Sequence, residues 1–353
     1  MVKTGIIYSD EYLKHETGTH VECKERLIET MKLLNEKKVF DNGNITLIDP
    51  DKATIEDIML VHQQHYIEKI EDRCKAGGGW LDGDTITSKD TYDVALLAAG
   101  GVNKAAKMIM EGKINNAMCL VRPPGHHAKE GNASGFCIFN NVAIVARYLI
   151  KNFDKVSRVL IYDHDAHAGN GTSYTFYDQS EVMIFNFHQH PRTLYPGVCY
   201  VDEIGEGEGK GYNFNMTVAP GSGEVHYLKI MDEILHPLMK QYKPDFVLIS
   251  AGFDSHKNDP ITNLGFTVQG YGLIVKKLKE FAEEVCEGRL LITLEGGYNL
   301  SAISKGIYNE VVALSETGEM FEEQLPNYSE DIMEYTENLI KKTKDLFADH
   351  WKF

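Results

Sequence analysis

The sequence predicts an α/β fold, a single and mostly parallel eight-stranded sheet with helices on both faces. Three observations predict it. Short apolar runs rich in β-branched residues recur along the chain. Segments of helical period separate many of them, and no repeat, low-complexity tract or Pro/Ser-rich linker divides the whole. Strands that alternate with helices need crossover connections, and the parallel sheet they build is covered on both sides.

In chain order the candidate strands are Thr4–Tyr8, Ile45–Ile48, Ala117–Val121, Val159–Tyr162, Val182–Phe187, Tyr212–Val218, Phe246–Ser250 and Leu290–Leu294. Among the helices, Tyr271, Ile274, Val275, Leu278, Phe281, Ala282 and Val285 make one apolar stripe. Lys276, Lys277, Lys279, Glu280, Glu283 and Glu284 surround it. Gly205–Gly211 (GEGEGKG) reads as a flexible loop. The acidic stretch after Gly318 reads as helical, so that residues 319–353 form a surface appendage on one domain spanning 1–353.

The chain has 353 residues, 43% hydrophobic and 25% charged, enough to bury a large core. Its net charge of -16 argues against general binding to nucleic acid or an anionic membrane, and leaves a cationic substrate open. Cys23, Cys74, Cys119, Cys137, Cys199 and Cys286 are scattered without a CxxC pair, which reads as free thiols in a reducing compartment. The opening MVKTGIIYSDEYLKH has too short an apolar run for a signal peptide. No stretch is long enough to span a bilayer, so a cytoplasmic protein is expected.

Ligands of open parallel sheets bind beyond the carboxyl ends of the strands, so what each strand delivers there is informative. The strand ending at Val121 runs into RPPGHHA, with His126 and His127. Val159–Thr172 reads VLIYDHDAHAGNGT, a buried strand that turns polar at Asp163, His164, Asp165 and His167. Phe246–Ser250 runs into AGFDSHKNDP, with Asp254 and His256, and Leu290–Leu294 runs into EGGYN, with Tyr298. Taken singly, the acids could cap a turn, the histidine pair could be a satisfied loop and Tyr298 could be structural. Taken together, four strands aim acids, imidazoles and a phenol at one edge. Buried charges there cost several kcal/mol unless paired or holding a metal.

RPPGHHA, GFCIFNN (Gly135–Asn141), DHDAHAGNGT, SAGFDSHKNDP and LEGGYN stand in this order, and HETGTHVECKERL (His15–Leu27) precedes them. The chain thereby resembles the zinc-dependent histone deacetylase family, which includes acetylpolyamine amidohydrolases and acetoin-utilisation proteins. It looks closest to class II-like prokaryotic members. The resemblance implies the arginase/deacetylase-like fold and makes Asp165, His167 and Asp254 the ligands of a catalytic metal. Zinc is the first expectation, and the oxygen-rich set also admits ferrous iron or cobalt.

By the same resemblance, His126 and His127 are the family's paired histidines, the first oriented by Asp163 and the second facing Asn170. A neutral Asn170 leaves the His127 pKa lower than an aspartate would, which suits a general base. Tyr298 stabilises the oxyanion. Phe136 and Tyr195 match the aromatic walls of a narrow tunnel, whose lining includes Gly135 and Gly296, and core packing is the other reading of the two rings. Asp84 matches an acid that grips the substrate backbone at the rim, with Thr85 one residue away as the alternative.

Structural potassium is implied at Asp163, Asp165, His167, Asn186 and Phe187. A more distant potassium site is implied at Phe176, Gln179, Val182 and Tyr227. Two positions depart from the family, Ala168 where relatives carry histidine and His164 where they carry an apolar residue. The implied reaction is deacetylation of an acetyl-lysine peptide or protein. A small acetylated amine such as an acetylpolyamine is the alternative. Ile261 stands where polyamine-selective relatives have a glutamate, so it offers no partner to a distant ammonium; it could equally pack under its loop and select nothing. A ureohydrolase would need a second acid-rich ligand set, which SAGFDSHKNDP lacks. A non-catalytic binder would have lost a ligand, a paired histidine or the tyrosine.

Overall fold

The computed structural model describes residues 2–41 and 43–353. Its strands are β1 (Thr4–Ile7), β2 (Ile45–Ile48), β3 (Gly78–Trp80), β4 (Ile86–Ser88), β5 (Asn116–Cys119), β6 (Val159–Asp163), β7 (Val182–Gln189), β8 (Asn213–Val218), β9 (Phe246–Ala251) and β10 (Leu290–Leu294). Eight of them form one sheet in the order β2-β1-β5-β10-β9-β6-β7-β8, parallel at every pairing. These are the eight apolar runs of the sequence.

Strands β5, β6, β9 and β10 are buried at every residue, so both faces of the sheet are covered. Successive side chains point to opposite faces, and each buried Val, Leu, Ile or Phe contributes about 1.5–3 kcal/mol. The helices Val268–Cys286 and Leu300–Ser315 pack on each other, and Glu25–Glu36 packs on the second. Thr91–Met110 and Asn141–Asn152 form another packed pair. The apolar stripe from Tyr271 to Phe281 is indeed the buried face of Val268–Cys286.

Two features depart from expectation. The antiparallel hairpin β3–β4 went unpredicted because its strands are three residues each and the first begins with glycines. Gly78 has φ 93, and a Cβ there would collide with the backbone of Thr87 and Ser88. The C-terminal segment is also less peripheral than its acidity suggests. Residues 319–329 are not helical, and the helix Glu330–Phe347 that follows buries Leu339, Ile340 and Phe347. Phe347 stacks on Phe214 of β8 at 3.9 Å between ring centroids. The six cysteines are free, and no helix among the described residues is long and apolar enough to cross a membrane.

Candidate active site

Beyond the carboxyl ends of β6 and β9, Asp165, His167 and Asp254 bring one ligand atom each within 4.8 Å of one another, all buried. His167 Nδ1 lies 3.1 Å from Asp165 Oδ1 and 2.8 Å from Asp254 Oδ2. The close approach is possible because Gly252 and Gly296 flank the acids. A Cβ on Gly252 would strike the Asp165 carboxylate, and one on Gly296 would strike both carboxylates. Gly296 also donates its N–H to Asp165 Oδ2 at 2.9 Å. Two buried carboxylates and one imidazole whose ligand atoms converge within 4.8 Å fit a divalent cation.

His126 and His127 leave β5 through Pro123, Pro124 and Gly125. His126 Nδ1 meets Asp163 Oδ2 at 3.0 Å, and its Nε2 is 3.9 Å from Asp165 Oδ2. Burial opposes a charge on His126, but the Asp163 and Asp165 carboxylates together outweigh it and push its pKa up to about 10. His127 donates from Nδ1 to Asn170 Oδ1 at 2.8 Å, which leaves Nε2 as an acceptor. Burial, reinforced by His126 and His167, holds the His127 pKa well below the usual histidine range. The pKa values of two adjacent imidazoles with rings 4.1 Å apart are thus pushed in opposite directions.

A pocket of about 250 Å³ opens onto these groups. His126, His127, His167 and Tyr298 form its inner end, Gly135, Phe136, Leu194 and Tyr195 line it, and Asp84 and Ile261 also belong to its wall. Phe136 meets the Tyr298 ring edge-on at 5.7 Å, and Tyr195 meets His127 edge-on at 5.3 Å. Gly135 takes φ 53, and a Cβ there would collide with the His127 ring. Phe136 follows in the same left-handed region at φ 69, and its N–H donates to Thr85 Oγ1 at 3.1 Å. The loop of the hairpin thereby braces the wall through Thr85, and its Asp84 lines the same pocket.

Several residues of the site carried no role in the sequence. Asp259 accepts N–H bonds from Ile261 and Tyr298. Glu295 accepts from the N–H groups of Gly125 and His126 and from Ser250 Oγ, which ties β10 to the histidine loop. Glu295 and the Cys137 thiol, which donates to Gly135 O, also come within reach of His126. Behind Tyr298, Arg26 donates to the carbonyls of Gly297 and Glu295, and its guanidinium carbon lies 5.3 Å from the Tyr298 ring. Arg26 and Arg122 share the buried Glu22 carboxylate. Burial would raise Glu22, but Arg122 at 2.6 Å holds it below the usual carboxylate range.

Asp163 and Asn186 sit side by side, paired in register between β6 and β7, with Phe187 next along the strand. Phe176 and Gln179 share a turn hydrogen bond, and Val182 opens β7. Tyr227 is not brought to those three. Its ring stacks on Phe187 at 4.2 Å, five residues up the strand from Val182, about 16 Å away at a strand's rise per residue. Its place on the helix Glu224–Ile230 leads it to the sheet's far end. His256 also turns away from the site and pairs with Glu323 at 2.9 Å.

The histone deacetylase domain family matches residues 20–314 of the chain. A probable deacetylase of Archaeoglobus fulgidus is 39% identical over 99% of both chains. One of Methanothermobacter thermautotrophicus is 40% identical over 73% of this chain and 76% of its own. Histone deacetylase 18 of Arabidopsis thaliana is 34% identical over 99% of this chain, which spans 52% of that protein. Among solved structures, the HDA15 HD domain superimposes with a TM-score of 0.89 at 28% identity, covering 99% of this chain and 96% of its own. With the same strands delivering acids, imidazoles and a phenol to one pocket, and matches of this extent, the chain belongs to the histone deacetylase family, resembles its prokaryotic members and is a deacetylase, a hydrolase of amides.

Proposed function

We propose that the protein hydrolyses the acetyl amide of an acetyl-lysine side chain, with Asp165, His167 and Asp254 holding zinc or ferrous iron. A metal held there supplies a Lewis acid for the amide carbonyl and lowers the pKa of a water. The chain's own residues do the rest. His127 accepts the water's proton at Nε2 as its oxygen attacks the acetyl carbon. Tyr298 donates its O–H to the oxyanion that forms. The proton gained by His127 passes to the amine nitrogen as the C–N bond breaks, leaving acetate and a free amine. His126, held by Asp163 through Nδ1, stands beside the developing anion as a further polar group.

The observation that carries this reading is the 2.8 Å contact of His127 Nδ1 with the Asn170 amide oxygen, which can only accept. The Nδ1 proton is engaged by Asn170, so the free lone pair points from Nε2 toward the pocket that His167 and Tyr298 share. Phe136 and Tyr195 suit an apolar alkyl arm between them. Ile261 on the same wall puts no anion near a second ammonium, which favours acetyl-lysine over an acetylpolyamine. Potassium at Asp163 and Asn186 belongs to the same reading, and six free thiols suit a reducing cytoplasmic setting. The test is hydrolysis by the zinc- and iron-loaded protein of acetyl-lysine peptides, acetylpolyamines and longer acyl-lysines. Absence of turnover on every acetylated amine would overturn the proposal.

A further inference from the structure

The family departure at His164 lies between Asp163 and the ligand Asp165, and its side chain is completely buried. All four of its polar groups reach the segment that leads to Asp254 or the helix behind it. The N–H donates to Ser250 O at 3.1 Å, and the carbonyl accepts from Ser255 Oγ at 3.2 Å. Nδ1 donates to Gly252 O at 3.0 Å, and Nε2 lies 3.3 Å from Glu310 Oε1. Glu310 sits on the helix Leu300–Ser315 and is itself fully buried; among the described residues neither of its oxygens nor His164 Nε2 makes a hydrogen bond, so the 3.3 Å approach of the two groups is the one polar contact open to each. Gly252 in turn abuts the Asp165 carboxylate, where a Cβ would collide.

We propose that His164 is a positioning residue for the metal centre. Through Gly252 and Glu310 it locks the segment bearing Asp165 and His167 against the loop bearing Asp254. An apolar side chain there would pack but could reach neither Gly252 O nor Glu310, so the two ligand-bearing segments would keep only the backbone bonds, Ser255 Oγ and the bonds made by the ligand Asp254 itself, from Ala166 N–H and His167. Ligands in metal sites depend on such outer partners for orientation, and losing one typically costs 10–100-fold in metal affinity. Fold stability should respond differently. Replacing both members of a buried polar pair with apolar residues of similar shape can be nearly neutral or stabilising, whereas removing one leaves a buried group unsatisfied.

The double variant His164→Leu/Glu310→Leu separates the two roles. Its urea unfolding midpoint should match or exceed the parent's, while its zinc affinity, measured by competition with a chromophoric chelator, should fall about tenfold or more. A second variant, His164→Asn/Glu310→Gln, keeps a donor where Nδ1 stands and should retain zinc affinity within about threefold of the parent, as the smaller loss expected when an outer partner survives. Unchanged zinc affinity in a folded double-leucine variant overturns the proposal. If that variant does not fold, a loss of tenfold or more in the Asn/Gln variant overturns it. The inference rests on Asp165, His167 and Asp254 as metal ligands, and a parent protein that binds no divalent metal would overturn that reading and this one together.

Discussion

Asp259 accepts the main-chain N–H of Tyr298 through Oδ2 at 2.9 Å, and its other oxygen accepts the N–H of Ile261. One buried carboxylate therefore fixes both the proposed oxyanion donor and the residue proposed to select the substrate. Tyr298→Phe should lower kcat by about two to three orders of magnitude with a small change in KM. Asp259→Ala should cost roughly tenfold to a hundredfold in kcat, since an ångström of misplacement can cost that much. If both act through the same hydroxyl, the double variant should be no slower than Tyr298→Phe. Additive losses in steady-state kinetics would show that Asp259 does something else.

Chelation should abolish deacetylation, and zinc or ferrous iron should restore it. In the metal-free protein His167 keeps its proton to about pH 10, because Asp165 and Asp254 outweigh the opposing burial. Binding must release that proton. Zinc affinity should therefore rise with pH by about one log unit per pH unit for each proton released. Calorimetry in buffers of different ionisation enthalpy counts the protons, and full activity in protein shown metal-free by elemental analysis would refute the mechanism.

Asn170→Asp should raise the His127 pKa, because an anionic partner stabilises the imidazolium where the amide does not. A base must be deprotonated to act, so the acid limb of the kcat/KM profile should move to higher pH and activity at low pH should be lost. A limb that stays in place would assign it to another group.

Ile261→Glu should shift kcat/KM toward N8-acetylspermidine relative to an acetyl-lysine peptide. The comparison is internal to each enzyme, so it does not depend on active-site concentration. A parent that already prefers the polyamine, as its net charge of -16 could favour, or an unchanged ratio in the variant, would remove Ile261 from substrate choice.

Glu22→Gln should lower stability by about 3–5 kcal/mol, because Arg26 and Arg122 would stay buried without their shared carboxylate. Urea unfolding measures this directly. Arg26 also reaches the carbonyls of Gly297 and Glu295, and Arg122 that of Tyr12 at 3.3 Å, so a loss under about 1 kcal/mol would mean that these carbonyls suffice for the two guanidinium groups.

The parallel sheet was legible because each strand is a short, continuous apolar run, the form that burial on two faces demands. Asp163, Asp165, His167 and Asp254 were legible because polar residues directly after such runs can only stand at the sheet's carboxyl edge. What the sequence hid were partnerships across long separations. Nothing local to Glu22 announces Arg122, and nothing local to His164 announces Glu310. Nothing local to Asp259, which stands before Pro260, announces Tyr298. Tyr227 was misplaced for the same reason, since its helix sets which end of β7 it reaches.

The helix Glu330–Phe347 and its tail do more than fill space beside Phe214. Tyr335 Oη donates to the Thr217 carbonyl of β8, and Trp351 Nε1 donates to the Gly211 carbonyl at the strand's approach. Strand β8 ends the sheet, and these side chains cap groups that would otherwise face outward. The family match stops at residue 314, so cutting there would strip the cover away. A bare edge strand is a template for another chain's strand. Such a shortened protein should therefore self-associate and precipitate even though every catalytic group remains.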